Sequence, residues 1–458
     1  MIENKENDTQ NIAAVSSKAD RHKYGKFQKK LDPIASLGGV AVDCRANPID
    51  ILKENSKGRM PGLLPLRYER MAESPFGFYR GSAAVMASDL SMLPSTNMKL
   101  HICGDCHLLN FGGFATPERT LVFDINDFDE TSTAPWEWDV KRLAASFAIA
   151  GRDKGFTDIQ CGEAAFTAVS SYRKHMAEYA EMSALQIWYS QISMKDLVHS
   201  GKIKEFKQFD PKQVKKAIKR APHEKEFAKL TYSKKGEPHI KDNPPLIFHV
   251  PKDREAAFFT EAENAYKRYL RSLTHDKRIL LSRYKIKDVA MKVVGVGSVG
   301  TFCGVLLLMS ATGDPLFLQF KEAHQSVLEP YAGKSKFKYH GQRVVEGQRL
   351  IQSATDIFLG WTLDAAGRQF YVRQMRDAKV KPLTDTMDHE IFLRYARSCG
   401  WALSRAHART GDAAVLKGYM GQDEHFEDTI ATFSMRYADQ NEKDHERLLH
   451  ALKHKILP

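Results

Sequence analysis

HICGDCHLLNFGGFATPERTLVFDINDFDETSTAPWEWDVKRLAAS, residues 101–146, carries a Gly104-Asp105 pair, Asn110 five positions after that Asp, and the acidic run Asp127-Phe128-Asp129. The segment between the two polar clusters predicts a β-hairpin, and apolar periodicity predicts a helix from Trp136 onward. A purely structural hairpin rarely places so many acids and amides at its ends. Mg²⁺ takes oxygen ligands and shares its shell with phosphates, so this pattern points to a Mg²⁺-nucleotide site. In such a site Asp105 orients or deprotonates an attacking hydroxyl and Asn110 binds the metal. The hairpin then returns Asp127 to the same ion, with Asp124 and Asp129 competing for that role.

The complement to this stretch lies almost 200 residues downstream. DVAMKVVGVGSVGTFCGVLLLM, starting at Asp288, reads as two strands joined by Gly295, Gly297, Ser298 and Gly300, and a third strand, LFLQFKEA, carries Lys321. A dinucleotide-binding glycine motif needs a helix after its loop, and here a strand follows, which argues against a Rossmann fingerprint. Strand, glycine loop, strand, turn, strand and lysine instead suit a hairpin closing over ATP phosphates, with Lys321 reaching them. Such a lysine needs a carboxylate to hold it. The helix expected from Gly341 through Asp356 offers Glu346, with Glu329 the weaker candidate.

The 458 residues suffice for two or three domains or lobes, and 43% hydrophobic with 27% charged residues is a globular composition. No apolar run approaches the ~18 residues of a membrane span. MIENKENDTQ lacks the basic and apolar regions of a signal peptide, and six scattered Cys form no disulfide framework, so a reduced, cytoplasmic setting is expected. A net charge of +12 calls for an anionic partner. Residues 202–235 hold 12 Lys or Arg against 4 acids but few aromatics for base stacking, so nucleic acid ranks behind nucleotide as that partner.

Residues 1–30 read as a disordered N-terminal arm. Residues 31–287 form a helical lobe holding the hairpin and the basic insert, 288–380 a β-rich nucleotide-binding lobe, and 381–458 helices that complete the large lobe. Within RYERMAESPFGFYRG, Arg67 and Arg80 either pair on a folded surface or face the acidic site or a substrate phosphate. Cys103, Cys106 and His107 fit a haem-attachment pattern, but that chemistry requires export. A zinc site from these residues and His101 would crowd four ligands into seven positions. His175, His249 and His407 read as packing or surface histidines, and no nucleophile elbow supports hydrolysis.

Gly104-Asp105-Cys106-His107-Leu108-Leu109-Asn110 resembles the catalytic loop of the aminoglycoside and choline phosphotransferases in the protein-kinase-like superfamily. Asp127-Phe128 resembles their second metal motif. Asp139, twelve residues later, falls where those enzymes place a structural Asp at a helix start. Cys103 stands where that family has His. SPFGFYRG, GDCHLLNFG, NDFDET, GVGSVGT, GQRLIQ and YVRQM, across residues 30–440, resemble the bacterial domain-of-unknown-function family 2252. The first resemblance implies an α+β, two-lobed, protein-kinase-like fold and ATP/Mg²⁺-dependent transfer to a small-molecule or protein hydroxyl. The glycine loop and lysine follow the catalytic loop here, which implies a circular permutation whose chain ends meet near the large lobe. The alternatives are a nucleotide-binding regulator without transfer and a nucleic-acid or partner-binding protein using residues 202–235.

Overall fold

Ser17 caps helix α1 (Lys18–Leu31) by accepting from the Asp20 amide at 3.2 Å. The structure is a computed structural model, and it describes residues 16–40, 45–194, 197, 209, 223–234, 236–293, 295, 297, 299–375 and 379–458. Most of the basic segment 202–235 lies outside the described residues. Short helices follow: α2 (Pro48–Asn55), α3 (Leu64–Ala72), α4 (Pro75–Gly81) and α5 (Ala83–Ser91). β1 (Lys99–Ile102), the hairpin β2 (Phe111–Ala115) and β3 (Leu121–Ile125), and β4 (Ser132–Pro135) lead into α6 (Glu137–Asp153) and α7 (Asp158–Tyr179). β1 pairs antiparallel with β4, and β2 with β3.

A hairpin, β5 (Thr231–Lys234) and β6 (Glu237–Ile240), precedes β7 (Ile247–Phe248) and α8 (Lys252–Leu270). Next come β8 (Tyr284–Lys292), β9 (Cys303–Ser310), β10 (Pro315–Glu322), α9 (His340–Ile351), β11 (Gly360–Leu363), β12 (Gln369–Gln374) and β13 (Lys379–Val380). The chain closes with α10 (His389–Thr410), α11 (Ala413–Met420) and α12 (His425–Lys453). The architecture is mixed α+β. Its largest sheet is antiparallel, in the order β11-β12-β10-β9-β8-β7. β7 and β8 both begin ahead of Asp288, so this sheet reaches further back than the lobe expected at 288–380. At the other boundary β13 leaves it and pairs with β2.

Period-two alternation decides what each face of the large sheet presents. Leu306, Leu308, Leu318, Phe320, Phe370 and Val372 point to one face and pack under Tyr266 and Tyr269 of α8. The opposite face carries Val305, Leu307 and Phe317 at one end. Further along that face, register aligns Lys321 with Cys303 and Tyr371, and Gln319 with Arg373. A polar stripe thus stands on a buried sheet.

The main core lies among α6, α7, α10, α11, α12 and the β2–β3 hairpin. Trp136, fully buried, stacks on Tyr172 and Phe426 with ring centroids 5.8 and 5.4 Å away. Helix α1 belongs to this body, so residues 18–30 are not a disordered arm. A Cβ on Gly25 would sit 2.0 Å from the Val415 carbonyl oxygen, and one on Gly418 would sit 2.2 Å from that of His22. The paired glycines let α1 and α11 cross backbone to backbone. Arg21 reaches Asp412 at 2.6 Å, and Arg45 joins Asp89 to Asp444. The first and last helical segments therefore pack together on the large core.

Candidate active site

One face of α6 holds the loop that follows β1. Asp139 accepts from the Cys103 and Gly104 amides at 2.7 and 2.9 Å. Three residues on, Arg142 donates to Asp105 Oδ1 at 2.7 Å, and Ser146 accepts from the Leu108 amide at 3.0 Å. Positions 139, 142 and 146 share one helical stripe, so the loop is fixed from end to end by a single rigid element. His407 faces Asp139 at 3.3 Å and Tyr172 at 2.9 Å, which gives this histidine a buried packing role. Gly104 takes φ +85°, and a Cβ there would sit 2.3 Å from the Glu130 carbonyl oxygen. The position requires glycine.

Hairpin geometry brings the second acidic cluster alongside. Phe111 pairs with Ile125, and the Asn126 amide donates to the Asn110 carbonyl at 2.7 Å, so Asn110 and Asp127 leave the same end of the hairpin. The Asn110 side-chain Nδ2 donates to the Asp105 carbonyl at 2.6 Å. That bond commits the nitrogen and leaves the amide oxygen as the atom for a ligand.

Lys321 meets this cluster from the polar stripe of the sheet. Its Nζ donates to Asp129 Oδ2 and lies 3.8 Å from Asp127 Oδ1, while Tyr371 donates to Asp129 Oδ1 at 2.8 Å. Burial opposes ionisation of Asp129, but Lys321 and Tyr371 override it and bring that carboxyl down to about 2. Burial and the neighbouring Asp129 charge push Asp127 the other way. Burial also pushes Glu130 up to about 7, with Arg343 opposing. His107, buried beside Asp105, is driven down to about 3 and is neutral at pH 7.

These groups surround a cavity of about 590 Å³ whose wall includes Asp105, Asn110, Asp127, Asp129, Lys321, Gly295 and Gly297. Gly300 stands off the cavity, where its carbonyl accepts from the Met60 amide at 2.7 Å. Arg59 pins the same glycine loop by donating to the Gly297 and Val299 carbonyls at 2.9 and 2.7 Å. Ser298 lies outside the described residues.

Two expected roles move. Glu346 does not brace Lys321: it pairs with Arg349 at 3.0 Å. The inward face of α9 is Arg343, Val344, Val345 and Gln348, and helical phase turns Glu346 away from it. Glu329 lies 3.5 Å from Arg343, so it is not the brace either. Asp129 fills that role. Asp124, the alternative metal ligand, is fully buried and off the cavity, accepting from Arg405 at 2.9 and 3.0 Å and from the Ser353 amide and hydroxyl at 2.8 and 2.7 Å. Its oxygens are already used.

Four arginines were not singled out from sequence: Arg59, Arg142, Arg343 and Arg373. Arg343 is fully buried and donates to the carbonyls of Asp129, Thr131 and His324 at 2.6–2.8 Å, fixing the acidic loop. The 139/142/146 stripe was a readable signal for Arg142. Arg67 donates to Ser56, Asn55 and the Gly81 carbonyl inside the core, whereas Arg80 lines the cavity. Cys103 and Cys106 are buried free thiols. Among the described residues no group of three or more His, Cys, Asp or Glu is arranged to hold a metal ion, and no helix is long and apolar enough to cross a membrane. Mg²⁺ bound with a nucleotide needs only one or two protein carboxylates, the rest coming from phosphates and water. Asp127 with the Asn110 amide oxygen fits that smaller donor set.

Fold and site define a mixed α+β protein whose polar sheet face and acidic hairpin end share one charged cavity. The chain belongs to the bacterial family described as "Uncharacterized protein conserved in bacteria (DUF2252)", whose model matches residues 59–451. No curated protein and no solved structure matches it.

Proposed function

We propose that the protein is an ATP/Mg²⁺-dependent phosphotransferase acting on a hydroxyl acceptor, built on a circularly permuted protein-kinase-like fold. The observation that carries this reading is the Lys321–Asp129 contact. It joins a strand lysine to an acidic hairpin loop, beside Asp105, Asn110 and the glycine loop on one cavity wall. The packing of the first helical segments against the last supports the permutation.

Asp105 would orient the acceptor hydroxyl and take its proton. Lys321, held by Asp129, would bind the nucleotide phosphates, and the amides of the Gly295–Gly297 loop would lie over them. Asn110 and Asp127 would hold Mg²⁺, which when bound supplies neutralisation of phosphate charge. With little covalent chemistry for the protein to perform, fixed placement of these groups is its contribution.

A thermal-shift titration with Mg-ATP tests the reading. Stabilisation by Mg-ATP that is lost in Lys321→Met supports it, and no shift in the wild-type protein sinks it. A second reading is a nucleotide-binding regulator that performs no transfer. It is favoured by Arg142, which already donates to the Asp105 carboxylate that would have to take the hydroxyl proton. Mg-ATP stabilisation without ATP turnover, across a panel of hydroxyl compounds, would select the regulator.

A further inference from the structure

The cavity wall is more cationic than a nucleotide-phosphate site alone uses. Seven Arg and Lys side chains line it against four carboxylates. Most of the seven are accounted for. Lys321 pairs with Asp129, Arg59 holds the glycine loop, Arg373 donates to Gln319 at 3.2 Å, and Lys292 contacts the Met375 sulfur at 3.3 Å. Arg80 stands apart. It sits at the end of α4, on the helical side of the cavity, and makes no hydrogen bond or ion pair with a described residue. Its Nε is buried without a partner. The carboxylates acting on its charge include Asp105 and Glu73, yet Asp105 is ion-paired with Arg142 and not with Arg80. Arg70 lines the same wall.

A guanidinium cannot shed its charge, and a half-buried one without a partner is stabilised by any oxyanion that reaches its donors. Its planar fork suits carboxylate and phosphate alike. Lys321, across the cavity on the sheet side, is the phosphate-binding candidate for the nucleotide, so Arg80 addresses whatever approaches Asp105 from the helical side. We infer that the hydroxyl acceptor is itself an anion, carrying a carboxylate or phosphate group that Arg80 binds while its hydroxyl lies at Asp105. This rests on the phosphotransferase reading and names its acceptor class. A neutral or cationic alcohol leaves Arg80 unsatisfied, and a cation is repelled by it.

The test is calorimetric titration of the full chain, saturated with the non-hydrolysable Mg-AMPPNP, with glycerol 3-phosphate, glycerate, glycerol and choline. Saturable binding of glycerol 3-phosphate or glycerate is expected, and their relative affinity says whether phosphate or carboxylate is preferred. Arg80→Gln should weaken that binding about tenfold or more. Arg80→Lys, which keeps charge but loses the fork, should fall between. Melting curves of both variants check folding. The inference is overturned if glycerol or choline binds as well as the anions, if neither anion binds, or if Arg80→Gln leaves anion affinity unchanged. Failure of Mg-AMPPNP to bind the wild-type protein is a different result: it overturns the phosphotransferase reading, and with it the acceptor assignment.

Discussion

Lys321 donates to Asp129 across 192 residues of sequence, and Tyr371, its neighbour on β12, donates to the other oxygen of the same carboxylate. Both oxygens are therefore taken from the sheet side, which leaves Asp127 as the less committed of the two aspartates on the cavity wall. Lys321 is nearly inaccessible, with 4% of its side chain exposed. Asp129→Ala strands a buried cation with only Asp127, 3.8 Å away, and should lower unfolding stability by about 3–5 kcal/mol. Adding Lys321→Met to Asp129→Ala should recover most of that loss, since removing both charges ends the imbalance. Chemical denaturation of the two single variants and the double variant measures the coupling. Strictly additive losses would mean the two groups do not stabilise one another.

Asp105 is tied to Arg142, and Arg142 also donates to the Tyr79 carbonyl at 3.0 Å with its guanidinium 4.3 Å from the Tyr79 ring centroid. Asp105→Ala would leave that arginine short of its anion and confuse folding with chemistry. Asp105→Asn keeps the shape and removes the base. It should reduce transfer by roughly 10²–10⁴-fold while Mg-ATP stabilisation persists. Turnover equal to wild type would remove Asp105 from the chemistry.

Asp124 and Asp127 are three positions apart and should separate in one experiment. Asp127→Ala is expected to abolish the Mg²⁺ dependence of ATP stabilisation with little change in the melting temperature of the free protein. Asp124→Ala leaves the Arg405 guanidinium unpaired in a fully buried setting, so it should cost about 3–5 kcal/mol while any remaining folded protein keeps its Mg²⁺ dependence. The two outcomes exchanged would return Asp124 to the metal.

What the sequence revealed depended on range. Asp105, Asn110 and Asp127 were legible because a loop and one hairpin bring them together locally. Lys321 was legible as a lysine at the end of a third strand. The brace was not, because a buried lysine selects its carboxylate through tertiary packing, and Glu346 sits one helical step off the inward face. Asp124 looked like its acidic neighbours until Arg405, 281 residues away, was seen against it. Helix α1 was hidden by polarity: six of its fourteen residues are Lys or Arg, and its seat depends on the close approach at Gly25 and on the Arg21–Asp412 pair.

That approach makes a direct stability test. Gly25→Ala puts a methyl group where the Val415 carbonyl oxygen stands at 2.0 Å, and backbone on both sides prevents easy relief. The helix pair must separate, which should destabilise the protein by about 1–3 kcal/mol. Exposed Lys26→Ala in the same helix should change stability little. A chain lacking residues 1–31 that melts like the full chain would show that α1 contributes nothing to the core.

Glu130 offers a prediction with a definite sign. Burial raises its folded-state value to about 7 from an ordinary value of 4.5. Below pH 4.5 the group is protonated folded or unfolded and carries no penalty. As pH rises from about 4.5 to about 7 the unfolded chain releases the proton while the folded chain retains it, so stability contributed by the protonated side chain is lost across that window. Glu130→Gln keeps an oxygen to accept from the Val327 amide, now 2.8 Å from Glu130 Oε2, and cannot ionise. The variant should match wild type near pH 4 and be more stable at pH 8, by on the order of 2–3 kcal/mol. Denaturant melts at both pH values provide the measurement. A wild-type protein as stable as the variant at pH 8 would mean that Arg343 and the Val327 amide already offset the buried charge in full.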